Sequence, residues 1–101
     1  MSDKFVWSDA WILLALLYAG DKAERATISS IADGIDHSIP TDEELDEAFT
    51  RLSAEGLIEN KAGRFTATDR TKEAYLRTHT PRRTVSKELD DIKRFLGITP
   101  N

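Results

Sequence analysis

Apolar residues in this chain come in short blocks divided by polar turns, and their spacing predicts helices over most of its length. The first block, Ala10 to Ala19, is apolar without a break. Ser8 stands where a helix N-cap belongs, Asp9 favours the positive end of the helix dipole, and Gly20 suits the left-handed residue that ends a helix. A helix apolar nearly all round must be covered on several sides, by its own chain or by a second one. A block of this length spans about 15 Å as a helix, against the roughly 30 Å of a bilayer core, so it is too short to cross a membrane. A secretion signal is disfavoured too. The leader carries Asp3 and Asp9 against Lys4, and Leu17, three before a cut after Ala19, is not small. The block reads as a core helix of a cytoplasmic protein.

Asp21 to Arg25 are polar and read as a connection. Thr27 then precedes Ile28, Ile31, Ala32 and Ile35, whose helical spacing predicts a short second helix ending near Gly34 to Asp36. Pro40 drives Ile39 out of helical geometry and sets a boundary. The third helix has the clearest local signature: Thr41 and Glu44 form the capping box T-x-x-E ahead of an apolar stripe at Leu45, Ala48, Phe49 and Leu52. Gly56 stops it. Leu57 and Ile58 open a strand, Asn60-Lys61-Ala62-Gly63 suits a type I turn, and Phe65 and Ala67 return on one face of a second strand. Thr68 and Asp69 can start a fourth helix carrying Ala74, Tyr75 and Leu76 and ending before a basic connector, Pro81-Arg82-Arg83. A last helix, about 84–96, bears Val85, Leu89, Ile92, Phe95 and Leu96 at helical spacing, with Gly97 and Pro100 closing it. The expected fold is mainly α with a small β-hairpin, in the order helix, helix, helix, strand, strand, helix, helix.

Composition bounds the chemistry. The chain of 101 residues is 40% apolar and 32% charged, which fits one domain, 1–101, with a single core. Without cysteine there is no disulfide framework and no thiolate zinc site. His37 and His79 are the only histidines, and neither has a partner at metal spacing; His37 reads as a turn residue and His79 as a cation at a helix C-terminus. No D-x-D-x-D-G calcium loop, phosphate-cradling glycine loop or G-x-S-x-G elbow can be written through the sequence. No catalytic, cofactor-binding or metal-binding residue is therefore expected. The net charge of −4 hides a split: residues 1–60 carry 13 acids and 4 bases, a net of −9, whereas 61–101 carry 5 acids and 10 bases, a net of +5. Such asymmetry suggests a polar partner or a self-complementary assembly.

Three helices followed by a hairpin resemble a winged helix. Residues Ile31-Ala32, Leu45, Phe49, Arg51-Leu52, Gly56-Leu57-Ile58-Glu59, Gly63 and Phe65-Thr66-Ala67-Thr68 carry the resemblance. The run Leu52-x-x-x-Gly56-Leu57-Ile58, a turn, then Phe65 and Thr68 is similar to the third helix and wing of MarR-like and PadR-like regulators. The likeness covers about residues 8–79. Ala32 is small enough for close contact between the second and third helices, and Gly56 permits the sharp turn into the wing. Many such regulators carry Gly three residues past the Thr68 position, where this chain has Thr71. The resemblance implies either DNA binding or a module that binds protein or RNA, because function lies in the site rather than the fold.

In DNA-binding members of the resembled group the third helix enters the major groove. Here it opens with Asp42, Glu43, Glu44, Asp46 and Glu47, and its one cation is Arg51. With the apolar stripe turned inward, Glu43, Asp46, Glu47 and Thr50 point outward as a candidate protein-interaction face. Duplex affinity comes mainly from cations that neutralise phosphates, so this face opposes groove entry. The opposite reading uses Arg51, Lys61, Arg64, Arg70, Lys72, Arg82 and Arg83, with Arg77 beside them, as nucleic-acid contacts around the wing and the basic second half. The last helix has two destinations. Val85, Leu89, Ile92, Phe95 and Leu96 can form a homodimer face, which we expect, or pack back on the first helix over Trp7 and Trp11. A third role, a small-molecule sensor lined by Trp7, Trp11 and Tyr75, is weaker because aromatics at such positions usually belong to the core. The expected function is a non-enzymatic winged-helix module that binds a protein or itself; the alternative is a DNA-binding regulator.

Overall fold

Burial of the uninterrupted apolar block organises the molecule. In a computed structural model describing residues 4–78 and 84–98, that block forms α1 (Trp7–Ala19), whose residues 9–16 are all buried. It is followed by β1 (Ala23–Glu24), α2 (Arg25–Asp36), α3 (Asp42–Ala54), β2 (Ile58–Lys61), β3 (Arg64–Ala67), α4 (Asp69–Thr78) and α5 (Val85–Leu96). α2, α3, α5 and β3 all pack on α1, which accounts for its all-round apolarity without a second chain. No helix among the described residues is long and apolar enough to cross a membrane.

The fold is mainly helical with a small antiparallel sheet, and it adds a strand to the expected order. β1 lies in the segment read as a connection, and the sheet runs β1-β3-β2. Ala23 pairs with Phe65 and Glu24 with Arg64, while the Lys22 amide donates to Thr66 Oγ1 at 2.9 Å. A two-residue strand has no periodicity to announce it.

The start of α1 also differs from expectation. Val6, not Ser8, is the N-cap residue, and the Asp9 carboxylate reaches back to accept from the Val6 amide at 3.0 Å. A carboxylate three residues into a helix supplies half of a capping box. Ala32 packs against α1, rather than serving the second and third helices alone: its carbonyl accepts from the Trp11 indole at 2.8 Å. At α3 both bonds of the Thr41–Glu44 capping box form, at 3.0 and 2.9 Å, and Leu45, Ala48, Phe49 and Leu52 are all buried. His37 caps α2 in the left-handed conformation, a turn residue as expected. His79, Arg82 and Arg83 lie outside the described residues.

The hairpin turn is tighter than a type I turn over Asn60 to Gly63. Lys61 pairs with Arg64, leaving only Ala62 and Gly63 in the loop at φ of 53° and 79°. Two positive φ values are what a type I′ turn requires, because its twist matches that of the strands. Asn60 still contributes, since its Oδ1 accepts from the Gly63 amide at 3.1 Å. At the hairpin's base the Leu57 carbonyl accepts from the Thr68 amide and from the hydroxyls of Thr68 and fully buried Thr71, the last at 2.8 Å. Thr71, the departure from the resembled pattern, thus ties α4 to the sheet.

α5 packs back on α1, so the expected dimer face is largely covered within one chain. Ile92 and Leu96 enter the core, Leu89 and Phe95 pack partly buried against it, and only Val85 stays 43% exposed. Its first turn brings buried Glu88 against the hydroxyls of Tyr18 and Tyr75, which donate to the carboxylate. Desolvation, reinforced by that carboxylate, pushes the Tyr75 pKa up to about 12 and raises Tyr18 as well.

Two outcomes follow for solution work. Ala62→Asn, which puts at this left-handed position a residue that adopts it more readily than alanine, raises stability by about 0.5–1 kcal/mol in urea denaturation; a loss would contradict the turn. The chain has two tyrosines and both sit on Glu88, so phenolate absorbance reports this cluster alone. A raised phenol pKa gives stability that is complete below the unfolded value of 10.0 and lost as pH climbs through about 12. The native protein should therefore ionise its tyrosines only near or above pH 12, and the urea-unfolded chain near 10. A native inflection near 10 would mean that α5 does not hold this contact.

Candidate functional site

The amphipathic pattern of α3 sets which of its side chains reach solvent. With Leu45, Ala48 and Leu52 held in the core, Glu43, Asp46, Glu47 and Thr50 emerge together on the outer face, all exposed as the sequence implied. Asp42, Glu43 and Glu44 lie in the first turn, where the helix dipole favours carboxylates.

Cations near this face are already engaged. Arg25, at the start of α2, donates to Asp46 at 2.5 Å and to Asp42 at 3.1 Å. These hydrogen bonds, the one to Asp46 foremost, hold its pKa above the usual arginine value. Arg51 does not point outward as a nucleic-acid contact would. Its Nε and a terminal nitrogen grip the two Asp9 oxygens at 2.7 and 2.8 Å, and Glu47 lies 3.7 Å from the other terminal nitrogen. The Asp9 side chain is 0% exposed and that of Arg51 30%. Three hydrogen bonds satisfy the buried carboxylate, which is the condition for carrying a charge there.

Between α3 and the sheet runs a groove of about 730 Å³. Beneath it Phe49 stacks on Phe65, with ring centroids 4.0 Å apart at 18°, and both rings are only 6% exposed and belong to the core. Thr50, Ser53 and Ala54 form the α3 wall, Asn60 the sheet wall, and the Arg25–Asp46 pair closes one end.

Of the described basic candidates, Lys61 and Arg64 border one pocket of about 300 Å³ together with Lys22, and acids are interspersed among them. Lys61 lies 3.7 Å from Glu59, Arg64 3.7 Å from Glu24, and Lys72 2.7 Å from Asp21. Signs therefore alternate over the hairpin, although exposed pairs of this kind contribute only about 0–1 kcal/mol and can be exchanged for another partner. Arg70 and Arg77 are exposed on α4, and Arg82 and Arg83 fall outside the described residues. Trp7 and Trp11 lie tilted against each other at the start of α1, ring centroids 5.2 Å apart at 30°, whereas Tyr75 borders a pocket of about 300 Å³ with Leu16, Leu17 and Gly20. Among the described residues, no group of three or more His, Asp or Glu side chains is placed to hold a metal.

Sequence reasoning missed the roles of Asp9 and Arg25. Asp9 was legible in part: it is the one charge at the edge of an otherwise apolar block, so its burial demanded a cationic partner. Arg25 offered no signal, because its contacts depend on how α2 meets α3.

Breaking the buried pair should be costly and unequal. Arg51→Ala strands a carboxylate with no access to water and should lower unfolding free energy by about 3–5 kcal/mol. Asp9→Asn should cost less, because Arg51 keeps both solvent and Glu47. Equal losses in chemical denaturation would show that the two groups are equally desolvated. Comparisons with protein-family models, with curated proteins and with solved structures returned no match, so the reading of this surface rests on its own chemistry.

Proposed function

We propose that this chain is a non-enzymatic winged-helix module that docks on a basic surface of a protein partner through the outer face of α3. The observation that carries the reading is the withdrawal of Arg51 to Asp9, which leaves that face to Glu43, Asp46, Glu47 and Thr50. The winged-helix part of the proposal is supported by three helices and a hairpin in the resembled order, and by β1 joining the hairpin as a third strand. A helix with this face would meet phosphate repulsion along a duplex groove, whereas Lys and Arg on a protein would be attracted to it. A different protein is favoured over a second copy because α1 covers most of the apolar face of α5.

A second reading draws on the exposed cations Lys61 and Arg64 beside the hairpin turn: a regulator that grips DNA through its wing. Fluorescence anisotropy of a labelled random duplex, at low and at moderate salt, separates the two. We expect no binding up to about 100 μM at low salt. Binding at about micromolar that weakens steeply with salt, and that Lys61→Ala with Arg64→Ala abolishes, would replace the protein-docking reading with the DNA one.

A further inference from the structure

We infer that the free edge of β2 pairs with β2 of a second copy of this chain, antiparallel and centred on Asn60, so that Glu59 of each copy faces Lys61 of the other. The contact uses neither the outer face of α3 nor α5, so it goes beyond the docking reading and stands or falls apart from it.

β2 is an outer strand of the sheet, bonded to β3 on one side. The hairpin decides which of its backbone groups are free. Lys61 and Arg64 flank the two-residue loop and so form a hydrogen-bonded pair, as do Glu59 and Thr66 two positions on. The amide and carbonyl of Asn60 therefore point away from β3, toward the open edge. Glu59, Asn60 and Lys61 are all exposed, and the Asn60 side chain is engaged at the turn by the Gly63 amide. An edge of this kind is a template for a further strand.

Charge selects both the occupant and the register. Side chains alternate along a strand, so Glu59 and Lys61 share the face of the sheet opposite buried Phe65. An antiparallel neighbour can shift only in steps of two residues, because outward backbone groups must meet outward groups. Centred on Asn60, two copies exchange both Asn60 hydrogen bonds and set Glu59 against Lys61 twice, a favourable cross-strand pair. The next registers on either side bring Glu59 onto Glu59 or Lys61 onto Lys61, and like charges directly opposite repel. Lysine on an edge strand commonly guards against pairing; here the acid two residues away gives it a mate in one register. A second copy carries the required alternation by construction, and a two-fold axis uses each pair twice. With four residues on each side the contact is small, so the dimer is weak and reversible.

The test is sedimentation equilibrium of the full chain from about 10 μM to about 1 mM, over which the mean mass should rise from one copy toward two. Glu59→Lys and Lys61→Glu, both at exposed positions, should each weaken association about tenfold by placing like charges across the axis. Mixed in equal amounts, the two variants should associate at least as tightly as the unaltered chain, since every cross-strand pair is then Lys on Glu. Both variants keep a net negative charge, so general attraction cannot bring them together. A chain that stays single at about 1 mM would overturn the inference. So would a dimer that neither variant weakens, or variants that remain apart when mixed. Each of these failures leaves the docking face of α3 untouched.

Discussion

The rest of the structure depends on the pairing of Asp9 with Arg51. A carboxylate sealed from water at the start of α1 is tolerable only when its oxygens are fully bonded, and a bidentate guanidinium plus the Val6 amide meets that condition. Asp9 caps α1 through the Val6 amide, and its pair with Arg51 joins α1 to α3 in the orientation that the apolar stripe of α3 sets. With Arg51 pulled to the core side, helical geometry sends Glu43, Asp46 and Thr50 outward and brings Ser53 to the groove. The acidity of that face is thus a consequence of packing as much as of composition.

Much of this fold was readable because its elements carry strong local chemistry. The T-x-x-E box, the stripe at Leu45, Ala48, Phe49 and Leu52, and the alternation of Phe65 and Ala67 are periodic signals, and each produced its element. What escaped was short or relational. β1 is two residues long and exists because β3 offers it a partner edge. Asn first and Gly fourth suggest a type I turn over Asn60 to Gly63, whereas the pairing of Lys61 with Arg64 leaves a two-residue loop with Ala62 at a positive φ that alanine seldom takes. The destination of α5 was open because an apolar stripe states that something covers it, not what; the long apolar run of α1 needed just such a cover. On the candidate site, the outward residues of α3 followed from helix periodicity, whereas the engagement of Arg25 and Arg51 required knowing which helices touch.

The charge split along the sequence takes on a different meaning in three dimensions. Two of the ion pairs, Asp21–Lys72 and Glu24–Arg64, join the acidic first part to the basic second part within one molecule. Some of the asymmetry that suggested a self-complementary assembly is therefore neutralised internally. These pairs surround β1 and the hairpin, the region a DNA-binding wing would use, and they lower its positive potential. Among the described residues the cations paired with the carboxylates of α3 are Arg25 and Arg51, both from the acidic half. The outer face of α3 thus keeps its acidic character after folding. Isolated acids on a helix surface would be a solubility feature. Acids gathered on one outward helix face also set up a field that a basic surface on the proposed protein partner would complement.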